Sequence, residues 1–539
     1  MVRLQTVSSN PHIRKFLFLL FFFISVASIF RGLHSRWILQ NGDTAGFVDA
    51  FKSRGFEEFS SFTYGSSGFQ LIEVLGKGLE NFSAGDLINK DPEFNVFNSH
   101  AYLLPYLFRN FGSLFNSPSS LPLFLVALSY GVGFATLMKL SVDSKLTTLS
   151  LLTSTLIVVT SPIFFFGLIG QPYMDRLFFG PCIVVMYLIH RNINLSKHGF
   201  VASIIVMTIA ALISERASLI MGIIVFLLLL FQVRKKETRN RYSIILIFFS
   251  LILIFWYFTW SYVYSTSPYS ANLSIDVIRG NLQSIFFGNR RNNFIIFALC
   301  LVPFLLSGVR FPKYLVISLV TLIPNLFVSV GGAELTGYAS HYHALYLPAI
   351  IFTVFVKNPK NSNKKTSWKI NQHFSQITIT LLALFISLNY IGQAAEAKVS
   401  LANVVAMTRH VADALGALPK DVKQARQVQT EERKSLFRDL ELKRKAGISS
   451  PEGFMPVLVS EGASKVDAFP IGVGSAELVV VPFTDDSFNA IEFSLFGLVP
   501  VEDQRDWSAL FMNILEREYV QESKHSGSYG HIALFILKN

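Results

Sequence analysis

Apolar runs recur along the first 391 residues, near 16–33, 121–138, 146–170, 177–190, 199–213, 217–233, 243–265, 293–308, 313–331, 344–356 and 374–391. An apolar run of about 20 residues is long enough to cross a bilayer as a helix. Several of these runs are shorter, those at 177–190, 199–213 and 217–233 above all. Taken together they predict an α-helical polytopic membrane protein with about eleven transmembrane helices. The pattern between runs is informative too. Residues 34–120 form a long first loop, in which Phe69 to Phe82 is amphipathic, with Leu71, Ile72, Leu75 and Leu79 on one face. Ala101 to Phe108 is aromatic and apolar, as interfacial helices are.

From about residue 392 the pattern changes. Ser400 to Leu415 has helical spacing, and the charged stretch Lys420 to Lys445 reads as a solvated helix. Strand-like runs follow at Pro456–Val459, Ala476–Pro482 and His531–Leu537, the last entered through the turn Gly527-Ser528-Tyr529-Gly530. The expectation is a transmembrane domain over 1–391 and a small α/β domain over 392–539. No glycine-rich phosphate loop or metal-ligand spacing occurs in it.

Composition agrees with a membrane protein: 51% hydrophobic, 15% charged, and 52 Phe among 539 residues. Average soluble domains carry roughly 25% charged residues. The net charge of +12 would suit nucleic acid, but the basic residues cluster in alternate loops, which argues against a nucleic-acid partner. With the N-terminus inside, inner segments hold nineteen Lys and Arg and short outer loops hold five. This is the asymmetry of the positive-inside rule. It predicts a multi-pass protein of the cell inner (plasma) membrane, with a cytoplasmic N-terminus and an extracytoplasmic C-terminal domain. Arg14-Lys15 before Phe16–Phe30 resembles a secretory signal, yet Ile29-Phe30-Arg31 is a poor start for a mature chain. A retained first helix is the simpler reading. Cys182 and Cys300 lie in apolar runs and read as packing residues.

On this topology the outer face gathers Asp43, Asp49, His100, Asp175, Arg176, Glu215, Arg216, Arg290, Arg291, Tyr338, His341, His343 and Tyr346. A carboxylate just past the first span can take a proton from an acceptor hydroxyl; Asp43 is placed for that. Gly42-Asp43-Thr44 also makes a good helix start, so a capping role stands beside the catalytic one. Glu215-Arg216 is either a cavity rim or an ordinary loop ion pair. His341-Tyr342-His343 is either a polar cluster facing a cavity or an interfacial aromatic belt. Arg290-Arg291 is either a lipid-phosphate clamp or a span flank. His341 and His343, two apart, do not share a helical face, so a metal centre is not indicated, although a divalent metal with the substrate stays open.

Asp43 with Phe47, His100 with Pro105, Glu215-Arg216, and Tyr338, His341, His343, Tyr346 with Pro348 together resemble the GT-C superfamily of membrane glycosyltransferases. More narrowly they are similar to a bacterial family of predicted membrane proteins related to it. The resemblance implies an enzyme that moves a sugar from a polyprenyl-phosphate donor to a glycan, lipid or protein acceptor. Asp43 would be its catalytic base. Asp49, His100, Glu215, Arg216, Arg290, Arg291, Tyr338, His341, His343 and Tyr346 would bind substrate. Val48 stands where that family often has an acid or amide, and Asp49 follows one position later. Two rival classes are a transporter or lipid flippase, which would show paired repeats and broken helices, and a non-catalytic membrane scaffold.

Overall fold

The computed structural model describes, with short breaks, residues 11–36, 70–88, 103–108, 120–161, 174–191, 196–233, 241–263, 279–327, 344–356, 377–384, 420–493 and 503–538. The chain divides into two compact units. One comprises Met1–Leu33, Ala101–Leu104 and Leu123–Leu418; the other His34–His100, Pro105–Pro122 and Pro419–Asn539.

The first unit is helical. Its principal helices are α1 (Pro11–Arg36), α2 (Ser120–Asp143), α3 (Thr148–Val159), α4 (Phe179–Arg191), α5 (Lys197–Ile213), α6 (Glu215–Val233), α7 (Arg241–Val263), α8 (Arg291–Gly308), α9 (Pro312–Phe327) and α10 (Leu347–Phe355). Side chains at the starts and crossings explain several of them. Ser196 caps α5 by accepting the Gly199 N–H at 3.2 Å. Ser214, in extended conformation, ends α5 and opens α6. Against α7, Ser218 of α6 donates to the Leu253 carbonyl at 3.0 Å. Any Cβ at Gly222 would lie 2.7 Å from the Ser250 carbonyl oxygen. Ser218 thus faces Leu253 while Gly222 faces Ser250, so α6 and α7 run antiparallel at close approach, the packing that small residues permit.

The expectation of about eleven transmembrane helices is overturned. Among the described residues two helices are long and apolar enough to cross a membrane, Leu121–Asp143 in α2 and Arg241–Trp260 in α7. Several of the other runs fold as shorter pieces. At a rise of about 1.5 Å per residue, α3, α4 and α10, with 12, 13 and 9 residues, fall short of the roughly 30 Å hydrocarbon core. Every residue of α10 is buried, as is most of α4. Hydropathy alone does not separate a span from a helix enclosed by protein, and in α4 and α10 enclosure accounts for the apolar faces.

The second unit is built on a five-stranded sheet in the order β2-β1-β3-β5-β4. The strands are β1 (Ile448–Ser450), β2 (Val466–Ala468), β3 (Leu478–Phe483), β4 (Tyr519–Gly527) and β5 (Gly530–Leu537). β1 pairs in parallel with β2 and β3, and β5 pairs antiparallel with β3 and β4. Central β3 reads as an unbroken apolar run, Val479-Val480-Val481, because both its faces are covered. The sequence placed strands near the observed β3 and β5, but Pro456–Val459 belongs to a helix, Met455–Ser460. A short apolar run does not reveal its own period, and Pro456 at the helix start supplies a fitting φ without losing a hydrogen bond. Lys420–Phe437 is helical and not wholly solvated, since Arg433 and Phe437 are buried. The predicted helix over 400–415 lies outside the described residues.

A turn over 469–477 carries the chain from β2 across β1 to β3. Gly472 has φ +90°, and a Cβ there would lie 3.2 Å from Asp467 Oδ2 and 3.5 Å from Ser449 Cβ. Tyr519 holds this turn: its hydroxyl donates to the Ala476 carbonyl at 3.0 Å and accepts the Gly474 N–H at 2.8 Å. Burial pushes that phenol's pKa up.

Part of the core comes from far away in sequence. Leu71, Val74, Leu75 and Leu87 are buried in the same cluster as β1, β3 and β5. Gln70 Nε2 donates to the carbonyls of Asp86 at 2.6 Å and Ile88 at 2.7 Å, closing the segment on itself. The Leu87 carbonyl accepts the Gly472 N–H at 2.7 Å. Phe82 meets Trp507 and Phe511, on the helix Gln504–Glu518, edge-on at centroid distances of 5.3 and 5.8 Å. The amphipathic stretch of the first loop therefore spends its apolar face inside the C-terminal sheet domain, joining two stretches that the sequence reading kept apart. Leu87→Ala is expected to destabilise this unit by about 2–5 kcal/mol. Limited proteolysis should show faster cleavage within 420–538. Unchanged cleavage would mean that segment 70–88 is not part of the domain.

Candidate functional site

The first unit contains a buried charged cluster. It starts from a single 3-10 turn, Met174–Phe178, all five of whose residues are buried. That turn runs directly into α4 and is pinned to α2. Ser129 Oγ donates to the Leu177 carbonyl at 2.7 Å and accepts the Gly180 N–H at 2.9 Å. A Cβ at Gly180 would lie 2.5 Å from the Ser129 carbonyl oxygen, so only glycine allows this approach. Tyr130, fully buried, stacks on Phe179 at 4.8 Å and 12°.

Held in this way, Asp175 meets the junction of α5 and α6. Ser214 Oγ donates to Asp175 Oδ1 at 2.7 Å. Asp175 Oδ2 lies 3.1 Å from Arg216 Nη2, an ion pair at an angle too poor for a hydrogen bond. The same Ser214 hydroxyl oxygen accepts the Ala217 N–H at 3.1 Å and so caps α6. Glu215 Oε1 approaches Arg216 Nε at 3.9 Å. Asp175 and Ser214 are wholly buried, Glu215 is 4% exposed and Arg176 2%. The Arg216 side chain, at 15%, is the most open of the group. Arg176 lies near enough to Tyr130 for its charge to be felt there.

The electrostatics follow from burial. An isolated ion at such depth is very costly, and here the Arg216 guanidinium stands against the carboxylates of Asp175 and Glu215. The start of α6 adds partial positive charge beside Glu215 and Asp175. Both oxygens of Asp175 are committed, one to Ser214 and one to Arg216. Asp175 is therefore placed to hold Arg216 by charge. Arg216 is the side chain through which this cluster can meet an anion, since a guanidinium offers five donors in a fork that matches phosphate.

At the far end of α4 stands a second polar group. Tyr187 donates to Asp143 Oδ2 at 2.6 Å, and Arg191 Nη1 donates to the Tyr187 hydroxyl at 3.1 Å. His190 Nδ1 and the Tyr314 hydroxyl are 2.5 Å apart. These contacts tie the ends of α2 and α4 to the start of α9.

Of the residues singled out from sequence, Glu215 and Arg216 meet in this cluster. Tyr346 is fully buried at the start of α10. Arg291 opens α8. Asp43, Asp49, His100, Arg290, Tyr338, His341 and His343 lie outside the described residues. Among the described residues no group of three or more His, Cys, Asp or Glu is placed to hold a metal ion. Sequence reasoning did not find Ser214 as the hub, nor Ser129 and Tyr130 as supports. Ser214 carried a usable signal, a helix-start serine directly before an acid-base pair. Asp175, gathered on the outer face but assigned no role, carried another: a lone carboxylate inside an apolar stretch. No family model, no curated protein and no solved structure matches the chain.

Proposed function

We propose that the protein is a membrane-associated glycosyltransferase that uses a polyprenyl-phosphate sugar, in the manner of the GT-C enzymes it resembles. The observation that carries this reading is the buried Asp175–Ser214–Glu215–Arg216 network in a unit with two helices long and apolar enough to cross a membrane. Ionisable groups at such depth are rare unless a substrate path uses them. In the reaction the acceptor oxygen attacks the anomeric carbon, the bond from that carbon to the phosphate oxygen breaks, and polyprenyl phosphate leaves with the electron pair. Asp43 takes the acceptor's proton. Arg216, oriented by Asp175 and Glu215, stabilises charge growing on the departing phosphate. His100, His341 and His343 orient sugar hydroxyls.

In this reading the protein sits in the cell inner membrane with its N-terminus cytoplasmic and its C-terminal domain extracytoplasmic. A core shared by residues 70–88 and the C-terminal sheet requires both stretches to lie on one side of that membrane. Cysteines introduced at Ile88 and Val520, which are 58% and 54% exposed, should react with an impermeant maleimide from the same, outer side. Labelling from opposite sides would overturn the shared core. Labelling of both only from the cytoplasm would reverse the orientation. The activity itself is tested by supplying membranes containing the protein with radiolabelled polyprenyl-phosphate hexose or pentose. Label should pass to a product that lacks the polyprenyl chain. No transfer from any polyprenyl-phosphate sugar would remove the enzyme reading.

A further inference from the structure

The starts of α5 and α7 lie side by side. Phe200, one turn into α5, packs against Tyr242 with ring centroids 5.0 Å apart. Lys197 is the first residue of α5 and Arg241 the first of α7, so two cations begin at the same level. Arg241 lies over the Tyr242 ring at 5.0 Å and donates to its hydroxyl at 3.1 Å. Among the described residues no carboxylate pairs with Lys197 or Arg241. The two helix starts add their own partial positive charge beside them.

Below these cations the same two helices present bare apolar faces. On α5, Val201, Ile205 and Ile209 are 45, 54 and 37% exposed, at a spacing of four. On α7, Phe248, Ile252 and Phe255 are 63, 60 and 70% exposed, at spacings of four and three. Only 22% of the most apolar stretch of α7 is buried. Apolar surface of this extent on a helix of spanning length calls for a cover, and the cations at its head state the cover's charge.

We propose that this face binds an anionic phospholipid, its acyl chains along the exposed faces of α5 and α7 and its phosphodiester between Lys197 and Arg241. A second copy of the chain would match the apolar stripe but would not answer the two cations. A free phosphate would answer the cations but not the stripe. The site is distinct from the Asp175–Arg216 cluster, which lies at the opposite end of α5, beyond Ile213. It therefore does not depend on the donor reading.

The test uses full-length protein in a neutral detergent and native mass spectrometry with two lipids of identical chains, dioleoyl phosphatidylglycerol and dioleoyl phosphatidylcholine. The glycerol lipid should bind at least tenfold more tightly. A cation near a membrane surface is worth about fivefold in affinity for a net anionic lipid, so two cations should set a preference of about 25-fold, and K197Q/R241Q should erase most of it by weakening the glycerol lipid far more than the choline lipid. Phe248→Asn, on an exposed position, should weaken both lipids alike, and millimolar inorganic phosphate should displace neither. Equal binding of the two lipids overturns the proposal, as does an undiminished preference in K197Q/R241Q. Displacement by phosphate would reduce the site to an anion contact. Disulfide-linked dimers of Phe248→Cys in membranes would assign the face to a second copy.

Discussion

Arg216→Ala should destabilise the helical unit by about 3–5 kcal/mol, the range for breaking a buried ion pair from one side. The cause is the partner left behind. Asp175 is fully buried, and without Arg216 its carboxylate keeps, among the described residues, the Ser214 hydroxyl alone. Removing both charges is a different change, because exchanging a buried pair for uncharged groups of similar size is often neutral. Asp175→Asn on an Arg216→Met background should therefore recover most of the loss, since asparagine still accepts from Ser214. Thermal unfolding of the detergent-solubilised protein reads both. If Arg216→Ala unfolds within about 1 kcal/mol of the native chain, the Asp175–Arg216 pair does not hold the unit together. The double variant serves a second purpose. It should be abundant and folded yet poor in donor use, which separates Arg216's contact with phosphate from its part in packing.

The second large effect is expected at Asp43. Asp43→Asn should reduce sugar transfer by about 10²–10⁴-fold, the usual contribution of a general base, while the protein's abundance in the membrane stays normal. Asparagine has the size of aspartate and caps a helix about as well, so a capping role survives the change. The capping reading predicts the opposite signature: Asn fully active, Ala less stable by about 1 kcal/mol. Asp49→Asn should do much less, because in a helix opened at Asp43 a residue six positions on would fall on another face. Abundance and label transfer measured for the three substitutions decide between the readings. A normally abundant and active Asp43→Asn protein would end the catalytic assignment.

Legibility differed between the two units for a physical reason. The helical segments were visible because a long apolar run, such as Arg241–Val263, or a run with a capped start, such as the stretch after Ser196, carries its own local instructions. What each run is covered by was not visible. Leu347–Phe355 and Phe179–Arg191 have the composition of spans, yet their faces are enclosed by neighbouring helices. Composition records that a side chain leaves water and not whether lipid or protein receives it. In the sheet domain β3 and β5 announced themselves by apolar, β-branched runs, whereas β1 and β2, three residues each, had too little length to show a period.

The charged cluster shows the same division. Glu215 and Arg216 attract notice in sequence because charges beside apolar runs are costly. Their partner Asp175 stands 39 residues before Ser214, and no local pattern joins them. The sequence by itself determined most of the helical segments and the strands β3 and β5. Only the tertiary structure decided that Asp175, Ser214 and Arg216 form one network and that Met455–Ser460 is helical. It alone placed residues 70–88 in the core of the C-terminal domain. Short-range periodicity specifies which face of an element must be buried. Hydrophobic burial has no direction, so the identity of the covering surface emerges only when every such face competes for the same cores.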